Sequence, residues 1–236
     1  MRGRVADAVL PPSSVRWLGA VAGLAALVVV VIGVVYSGHS EPGRVDRWFV
    51  EPTADSVGPP WRGVALTVDF LGEPVGAAIL VMAVVAGCLL LRWPRGAVFV
   101  VAGAAVAVGT ATLLKSVVGR TIHGDGNLSY PSGHTAFLTA VALVVALLAT
   151  GRLGLGRTAG ASLVPACALV AGAAMGWAQV ALGAHYPTDV LGGWCTAVAV
   201  VPATAWVVDR IADRTADRIA DRSADRAADS GRRELR

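Results

Sequence analysis

Six apolar runs, separated by polar segments, dominate the pattern of this chain. A helix needs about 20 apolar residues to cross a bilayer, and most of the runs have roughly this length, although the second is shorter. The runs cover residues 17–36, 75–91, 97–118, 135–150, 158–183 and 190–208. The pattern predicts an all-α integral membrane bundle of about six transmembrane helices, forming one domain over residues 17–208.

The composition supports a membrane protein and argues against a soluble one. Of the 236 residues, 55% are hydrophobic and 15% are charged, and the mean hydropathy is +0.64; soluble domains carry about 25% charged residues. The net charge of +4 is weak evidence for an anionic partner, because basic residues concentrate in one tail, and we expect no nucleic-acid partner. Cys88, Cys167 and Cys195 lie inside apolar runs, outside any disulfide or zinc pattern, and are interpreted as packing residues.

Three polar segments flank or interrupt the predicted spans. Residues 1–16 precede a long apolar run that no small-residue cleavage pattern follows, which favours an uncleaved first span over a signal peptide. The segment 37–74 combines prolines with Trp48 and Trp61, and is expected to form an outer loop at the membrane interface. Residues 209–236 repeat Asp-Arg-x-Ala, which favours a solvated, partly helical cytoplasmic tail; attraction of its arginines to anionic lipid is the alternative.

The distribution of basic residues predicts the orientation of the bundle. With six spans, one face receives fifteen of the twenty basic residues and the other face receives five. These five are Arg44, Arg47, Arg62, Lys115 and Arg120. Because basic residues favour the cytoplasmic side of a membrane, we expect a multi-pass protein of the cell membrane with cytoplasmic termini. The polar segments described next would then lie on the outer face.

Polar residues between the spans concentrate in two segments, 115–134 and 183–189, which we call the first and second site loops. In the first site loop, Ser132 is a good N-cap for the fourth span, and Gly133 leaves the backbone open to close approach. The N-terminus of a helix attracts anions, and His134, in the first turn, can reach the same anion. An ordinary helix cap would explain Ser132 but not His134.

The second site loop pairs a histidine with a carboxylate. Pro187 suits the first turn of the sixth span, and Asp189 follows His185 by four residues. One helical turn or a tight cap could bring this carboxylate to the imidazole, fixing its tautomer and leaving the other ring nitrogen as a base or nucleophile. Lys115 adds positive charge at the outer end of the third span, although a lysine there often only extends to the interface. Together, the two site loops predict a phosphate site.

These residues resemble the motifs of the type 2 phosphatidic acid phosphatase family of membrane lipid phosphatases, whose core is related to that of haloperoxidases. The family motifs are K-x6-R-P, P-S-G-H and S-R-x5-H-x3-D. The second is present at residues 131–134, and His185 and Asp189 stand in the places of the third. The similarity covers residues 75–208, and it implies a phosphatidic acid phosphatase type 2/haloperoxidase-like core.

The resemblance also implies a role for each matched residue. His185 would be the nucleophile that forms a phosphohistidine, Asp189 would orient it, and His134 would protonate the leaving group and then activate water. This chemistry requires no metal or other cofactor. The phosphoryl oxygens would be held by Lys115, Ser132 and the Gly133 backbone.

The chain departs from the family motifs at both arginines. Seven residues after Lys115, where Arg-Pro is expected, the chain has Ile122 and His123. Arg120 comes five residues after the lysine and is expected to contact the phosphate in place of the absent arginine. The arginine of the third motif is replaced by Gln179, which can donate hydrogen bonds to phosphate but carries no charge.

We expect a membrane lipid phosphatase that hydrolyses a phosphomonoester or pyrophosphate of a lipid at the outer face. Polyprenyl pyrophosphates, phosphatidic acid and phosphatidylglycerophosphate are candidate substrates, and the expected partners are the lipid phosphate and the membrane lipids. Because both motif arginines are replaced, a catalytically weak or inactive family member that binds or moves phospholipid is an alternative. A lipid phosphotransferase is a further alternative. The sequence predicts neither the particular lipid nor the oligomeric state.

Overall fold

The computed structural model describes residues 8–10, 15–54, 57–155 and 157–234, and these residues form eight helices. In chain order the helices are α1 (Val15–Val35), α2 (Arg44–Ala54), α3 (Trp61–Phe70), α4 (Pro74–Leu90), α5 (Pro94–Val118), α6 (Gly133–Arg152), α7 (Arg157–Ala181) and α8 (Pro187–Glu234). One isolated antiparallel bridge joins Thr121 and Leu128, and the described residues contain no strand beyond it. The predicted all-α fold class is confirmed.

Five of the described helices, α1, α5, α6, α7 and α8, are long and apolar enough to cross a membrane. Helix α4 has 17 residues and meets α3 at a 62° bend, and this bent pair would supply a sixth crossing. Large apolar side chains such as Leu24, Leu90 and Val117 remain exposed on these helices, as expected where lipid surrounds the protein. The chain is therefore a multi-pass membrane protein with five or six crossing helices.

The segment 37–74 is more ordered than the interfacial loop that its prolines suggested. It contains α2 and α3; Pro60 immediately precedes α3, and Pro74 is the first residue of α4. Proline is tolerated at these positions because the first N–H groups of a helix have no intrahelical partner. Helix α2 packs against α8, and α3 packs against α7. The segment is therefore attached to the bundle beside the site loops.

The last predicted span and the charged tail form one continuous helix. Helix α8 has 48 residues, which corresponds to about 72 Å at 1.5 Å per residue, well beyond a hydrocarbon core of about 30 Å. At the first tail repeat, Asp209 accepts hydrogen bonds from the backbone N–H groups of Val9 and Leu10 at 3.0 and 2.9 Å. Arg95, near the start of α5, pairs with Asp209 and Asp213 at 3.4 and 2.8 Å. The start of the tail is thus fastened to α5 and to the N-terminal segment.

Helices α6 and α8 lie at the centre of the bundle. In its most apolar stretch α6 is 67% buried, against 28% for α1, and it packs against α5, α7 and α8. A small residue permits the close approach of α8 to the start of α6, since a Cβ on Gly193 of α8 would lie 2.3 Å from the carbonyl oxygen of Ser132, just before α6. The N-termini of α6 and α8 therefore lie side by side, which places the second site loop next to the first.

We expect Gly193→Ala to destabilise the protein, because the added methyl group would overlap the Ser132 carbonyl and separate the two helix N-termini. Overpacking of this kind costs about 1–3 kcal/mol. Gly23→Ala in α1 is the matched control, since a Cβ there has no neighbour within 4 Å and alanine favours a helix over glycine. Thermal unfolding in detergent should show a lower midpoint for Gly193→Ala alone. Equal midpoints for the two variants would contradict this packing.

Candidate active site

A fully buried guanidinium lies at the centre of the two site loops. Arg120 follows Gly119, which ends α5 in a left-handed conformation (φ 65°) that favours glycine. The Arg120 Nη1 donates to Asp189 Oδ1 at 2.7 Å and to Thr188 Oγ1 at 2.6 Å. Its Nη2 donates to Asp46 Oδ2 at 2.8 Å. The guanidinium thereby joins the end of α5, the start of α8 and the helix α2.

Asp46 attaches α2 to this buried cluster. Besides Arg120, its carboxylate accepts a hydrogen bond from the Thr188 N–H at 2.9 Å. The rings of Tyr36 and Tyr186 face the guanidinium, with centroids 4.1 and 4.7 Å from its central carbon. Both carboxylates and the arginine are fully buried, and charge-assisted hydrogen bonds of this kind are roughly twice as strong as neutral ones. Two carboxylates against one guanidinium leave the cluster with one net negative charge.

His185 lies beside the second carboxylate of the cluster. Its Nδ1 is 3.7 Å from Asp189 Oδ2, which is too long for a hydrogen bond, so the carboxylate acts on the ring through its charge. The same oxygen accepts a hydrogen bond from the Tyr186 N–H at 3.0 Å, an arrangement that caps the N-terminus of α8. Burial lowers the pKa of the His185 imidazole; Asp189 opposes this shift, and the positive charge of Lys115 adds to it. The ring therefore stays neutral to lower pH than an ordinary histidine.

The two site loops are joined by hydrogen bonds to two backbone carbonyls. Ser132 caps α6, since its Oγ accepts from the Thr135 N–H at 3.3 Å, and its own N–H donates to the Asp189 carbonyl at 2.9 Å. A second link runs from His123 Nε2 to the Gly183 carbonyl at 2.7 Å. The N-terminus of α6 is thereby held against the loop that carries His185.

His134, in the first turn of α6, faces two carboxylates. Its Nε2 lies 3.7 Å from Asp69 Oδ1 and 3.6 Å from Glu73 Oε1. The bend between α3 and α4 brings these acids to the ring; a Cβ on Gly72 within this bend would lie 2.3 Å from the His134 ring. His134 is also close enough to His185 for its charge to act on that ring. The rings of the two histidines are therefore near enough to interact electrostatically.

The other predicted phosphate ligands contact protein groups in this structure. Gln179 is 1% exposed, and its Nε2 donates to Asp69 Oδ1 at 2.5 Å. Lys115 Nζ donates to the Leu128 carbonyl at 2.7 Å, and an ammonium group can donate two further hydrogen bonds. Arg120 was also expected to contact phosphate; its two Nη groups instead donate to buried carboxylates and to Thr188 in this structure, because buried carboxylates need a charged partner away from water.

Sequence reasoning missed three acidic residues of the site: Asp46, Asp69 and Glu73. All three lie in the segment 37–74, which was expected to form an outer loop at the membrane interface. The contact between Asp46 and Thr188 spans 142 residues, and that between Asp69 and Gln179 spans 110. Contacts at such separations leave no local pattern in the sequence. The abundance of carboxylates in this segment was the available signal.

The bundle and its two-histidine site define a class of α-helical membrane protein, and sequence comparison identifies the family. The sequence profile of the PAP2 superfamily matches residues 96–213, half of the chain, and the chain therefore belongs to this superfamily. Comparison with curated protein sequences gives no significant match.

The fold is similar to that of a solved membrane protein. The crystal structure of a transmembrane PAP2-type phosphatidylglycerolphosphate phosphatase from Bacillus subtilis matches with a TM-score of 0.63 and 18% sequence identity. The match covers 82% of this chain and 96% of that chain. The arrangement of the helices is therefore shared over most of both proteins.

We expect Asp46→Ala to destabilise the protein, because it leaves the Arg120 Nη2 group and the Thr188 N–H buried without an acceptor. Leaving a buried donor without a partner costs about 1–3 kcal/mol, and more when the donor is charged. Glu41→Ala, which removes an exposed carboxylate three residues from the start of α2, is the control and should change stability by less than about 0.5 kcal/mol. Thermal unfolding of both purified variants is the measurement. An Asp46→Ala protein as stable as the control would show that the Arg120 cluster does not support the fold.

Proposed function

We propose that this protein is a membrane lipid phosphatase that works through a phosphohistidine on His185. The observation that carries the proposal is the pairing of a buried imidazole with a carboxylate, Asp189, that Arg120 and the Tyr186 N–H hold in place. A second histidine, His134, belongs to the same site. Membership of the PAP2 superfamily and the likeness to a transmembrane phosphatase support the same chemistry.

The first step is attack by His185 on the phosphorus atom. Because Nδ1 faces Asp189, the attacking atom is Nε2, and the ring must be neutral for this nitrogen to carry a lone pair. An N–P bond forms while the bond from phosphorus to the leaving oxygen breaks, and His134 donates a proton to that oxygen. The negative charge of Asp189 stabilises the cationic ring of the intermediate.

The second step returns the enzyme to its starting state. His134, now neutral, takes a proton from a water molecule, whose oxygen attacks phosphorus. The N–P bond breaks, inorganic phosphate leaves, and His185 recovers its lone pair. One histidine thus acts as nucleophile, and the other acts first as an acid and then as a base.

Phosphate binding falls to Lys115 and to the N-terminus of α6. The N–H groups of Gly133 and His134 precede the first intrahelical bond, from Ala136 to Ser132, and such groups attract phosphate together with the helix dipole. Ser132 caps this helix end and so fixes its geometry. In this proposal Arg120 and Gln179 are positioning residues, since their donors point to Asp46, Asp189 and Asp69.

The surroundings of His134 favour an amphiphilic substrate. A cavity of about 470 Å³ adjoins this histidine, lined by residues of α4, α5 and α6 that include Ala77, Ala104 and Phe137. Because His134 protonates the leaving oxygen, the chain attached to that oxygen would enter this apolar cavity. Polyprenyl phosphates or pyrophosphates, phosphatidic acid and phosphatidylglycerophosphate all fit this description. The distribution of basic residues favours cytoplasmic termini and a site on the outer face of the cell membrane.

One observation favours a second candidate function, a catalytically inactive protein that binds or moves phospholipid. Gln179 stands where the family motif has an arginine, and Arg120 is committed to carboxylates. The site therefore offers a phosphate fewer fixed positive charges than the motifs provide, and phosphoryl transfer depends strongly on such charges. Phosphate release separates the two candidates, since a binder retains the lipid without hydrolysing it.

We expect His185→Ala to abolish release of inorganic phosphate from lipid phosphates, because it removes the nucleophile. The measurement is phosphate release by the full-length protein in detergent, without added metal, on a panel of lipid phosphates and pyrophosphates. His39→Ala is the control, since His39 is an exposed histidine to which the mechanism gives no role, and it should retain wild-type activity. Wild-type protein that binds these lipids but releases no phosphate from any of them would support the binder instead.

We expect the acidic limb of the kcat/KM profile to lie below pH 6.5, the ordinary pKa of histidine, because burial lowers the pKa of His185 and the neutral ring is the nucleophile. The positive charge of Lys115 contributes to this lowering. Lys115→Met should therefore move the acidic limb to higher pH, as well as weaken substrate binding. The measurement is kcat/KM against pH for both proteins. A limb that stays in place in the variant would contradict the electrostatic link between Lys115 and His185.

A further inference from the structure

Three metal-ligating side chains converge beside the proposed phosphate site. The carboxylates of Asp69 and Glu73 and the imidazole of His134 each offer one ligand atom, and these atoms lie within 4.8 Å of one another. Two ligands of a tetrahedral ion at about 2.1 Å are roughly 3.4 Å apart, close to the 3.6 and 3.7 Å that separate His134 Nε2 from the two carboxylates. Glu73 is half exposed and can adjust. Small side-chain rotations would therefore close the three ligands around one ion.

The polar atoms of this cluster are poorly matched without a cation. His134 Nε2 is inaccessible to solvent and has no hydrogen-bond partner among the described residues. Asp69 accepts a hydrogen bond from the neutral amide of Gln179, so its negative charge is not cancelled. In the proposed function, the carboxylates of Asp69 and Glu73 lie at the histidine that faces the leaving group. These carboxylates would repel an anionic phosphate, because like charges repel.

The substitution of the motif arginine explains how a cation could bind at this place. An arginine at position 179 would form an ion pair with Asp69 and repel a metal ion. Gln179 instead orients the carboxylate through a hydrogen bond and leaves its charge available, as residues that support metal ligands commonly do. With glutamine in place of arginine, the fixed positive charge is absent, and the Asp69 carboxylate can attract a metal ion.

We propose that Asp69, Glu73 and His134 bind a divalent transition-metal ion, with Gln179 holding the Asp69 carboxylate in place. One imidazole and two carboxylates suit Zn²⁺ or Mn²⁺, and three protein ligands leave a coordination position for water or a phosphate oxygen. The ion is an inhibitor of the phosphatase, a consequence that rests on the proposed function of His134. A metal bound to Nε2 occupies the lone pair on which His134 would carry the proton for the leaving oxygen.

The inhibition has a distinctive kinetic form. The bound ion adds positive charge next to the phosphate, so substrate binding is not weakened, whereas the proton donor is lost. We expect Zn²⁺ to lower kcat while KM stays constant or falls. An ion that merely competed with the lipid, or extracted it from the detergent, would raise KM instead.

The binding test uses the full-length protein in detergent, freed of any affinity tag, with Zn²⁺ as the probe and calorimetry as the readout. Glu73→Gln should weaken Zn²⁺ binding by more than the roughly 10–100-fold that loss of a supporting residue costs. Because Glu73 is half exposed, this variant should fold normally. Asp125→Asn, which removes an exposed carboxylate from the first site loop, is the matched control and should bind as the wild type does. Wild type without a stoichiometric Zn²⁺ site, or equal affinity in both variants, would overturn the proposal.

A second variant tests the part assigned to Gln179. Gln179→Arg should weaken Zn²⁺ binding through an ion pair with Asp69, and should relieve the inhibition of phosphate release to the same extent. Unchanged Zn²⁺ affinity in this variant would overturn that part of the proposal. Zn²⁺ binding does not depend on turnover, so failure of the metal-site proposal can be distinguished from failure of the proposed phosphatase function. Stoichiometric, Glu73-dependent binding to an inactive protein would refute the phosphatase and keep the metal site, and an active protein without such binding would do the reverse.

Discussion

The buried guanidinium of Arg120 is the interaction on which the arrangement of the site depends. Removing an ion from water costs several kcal/mol unless charged partners and hydrogen bonds replace the water. Asp46 and Asp189 provide those partners at 2.8 and 2.7 Å. Each of the three residues belongs to a different part of the chain, so none of the three parts can move away without leaving buried hydrogen-bonding groups of the cluster unpaired. The ion cluster therefore fixes α2, the end of α5 and the start of α8 as one unit.

This arrangement uses positive charge to hold the site together rather than to hold a ligand. Arg120 stabilises the carboxylate beside His185, and the excess negative charge of the cluster lies where a cationic phosphohistidine would form. In the proposed function, Lys115 and the N-terminus of α6 are therefore the groups that bind the phosphate. Such a site offers the anion fewer fixed positive charges than one with both motif arginines.

The sequence predicted the spans and the meeting of the two site loops, because both follow from local patterns. Apolar runs of about 20 residues predict crossing helices. Polar residues at the ends of spans on the same face of a small bundle are expected to lie close together. The helices α2 and α3 were not predicted, since prolines interrupt the pattern that would have shown them. The role of Arg120 could not be predicted either. Its spacing from Lys115 suggested a phosphate ligand, but a carboxylate 74 residues away in sequence, Asp46, determines where its guanidinium points.

The two histidines lie in different environments, and this difference supports the roles proposed for them. His185 is 8% exposed, and its one carboxylate neighbour is itself fixed by Arg120. Burial favours the neutral form of such a ring, which is the form that a nucleophile needs. The side chain of His134 is 29% exposed and lies between two carboxylates that have no guanidinium partner of their own among the described residues. A ring in that position can exchange a proton with a leaving group or with water. Paired groups with contrasting surroundings are how one site performs nucleophilic and acid–base chemistry together, and the two carboxylates that face His134 Nε2 are the groups that would hold a competing metal ion.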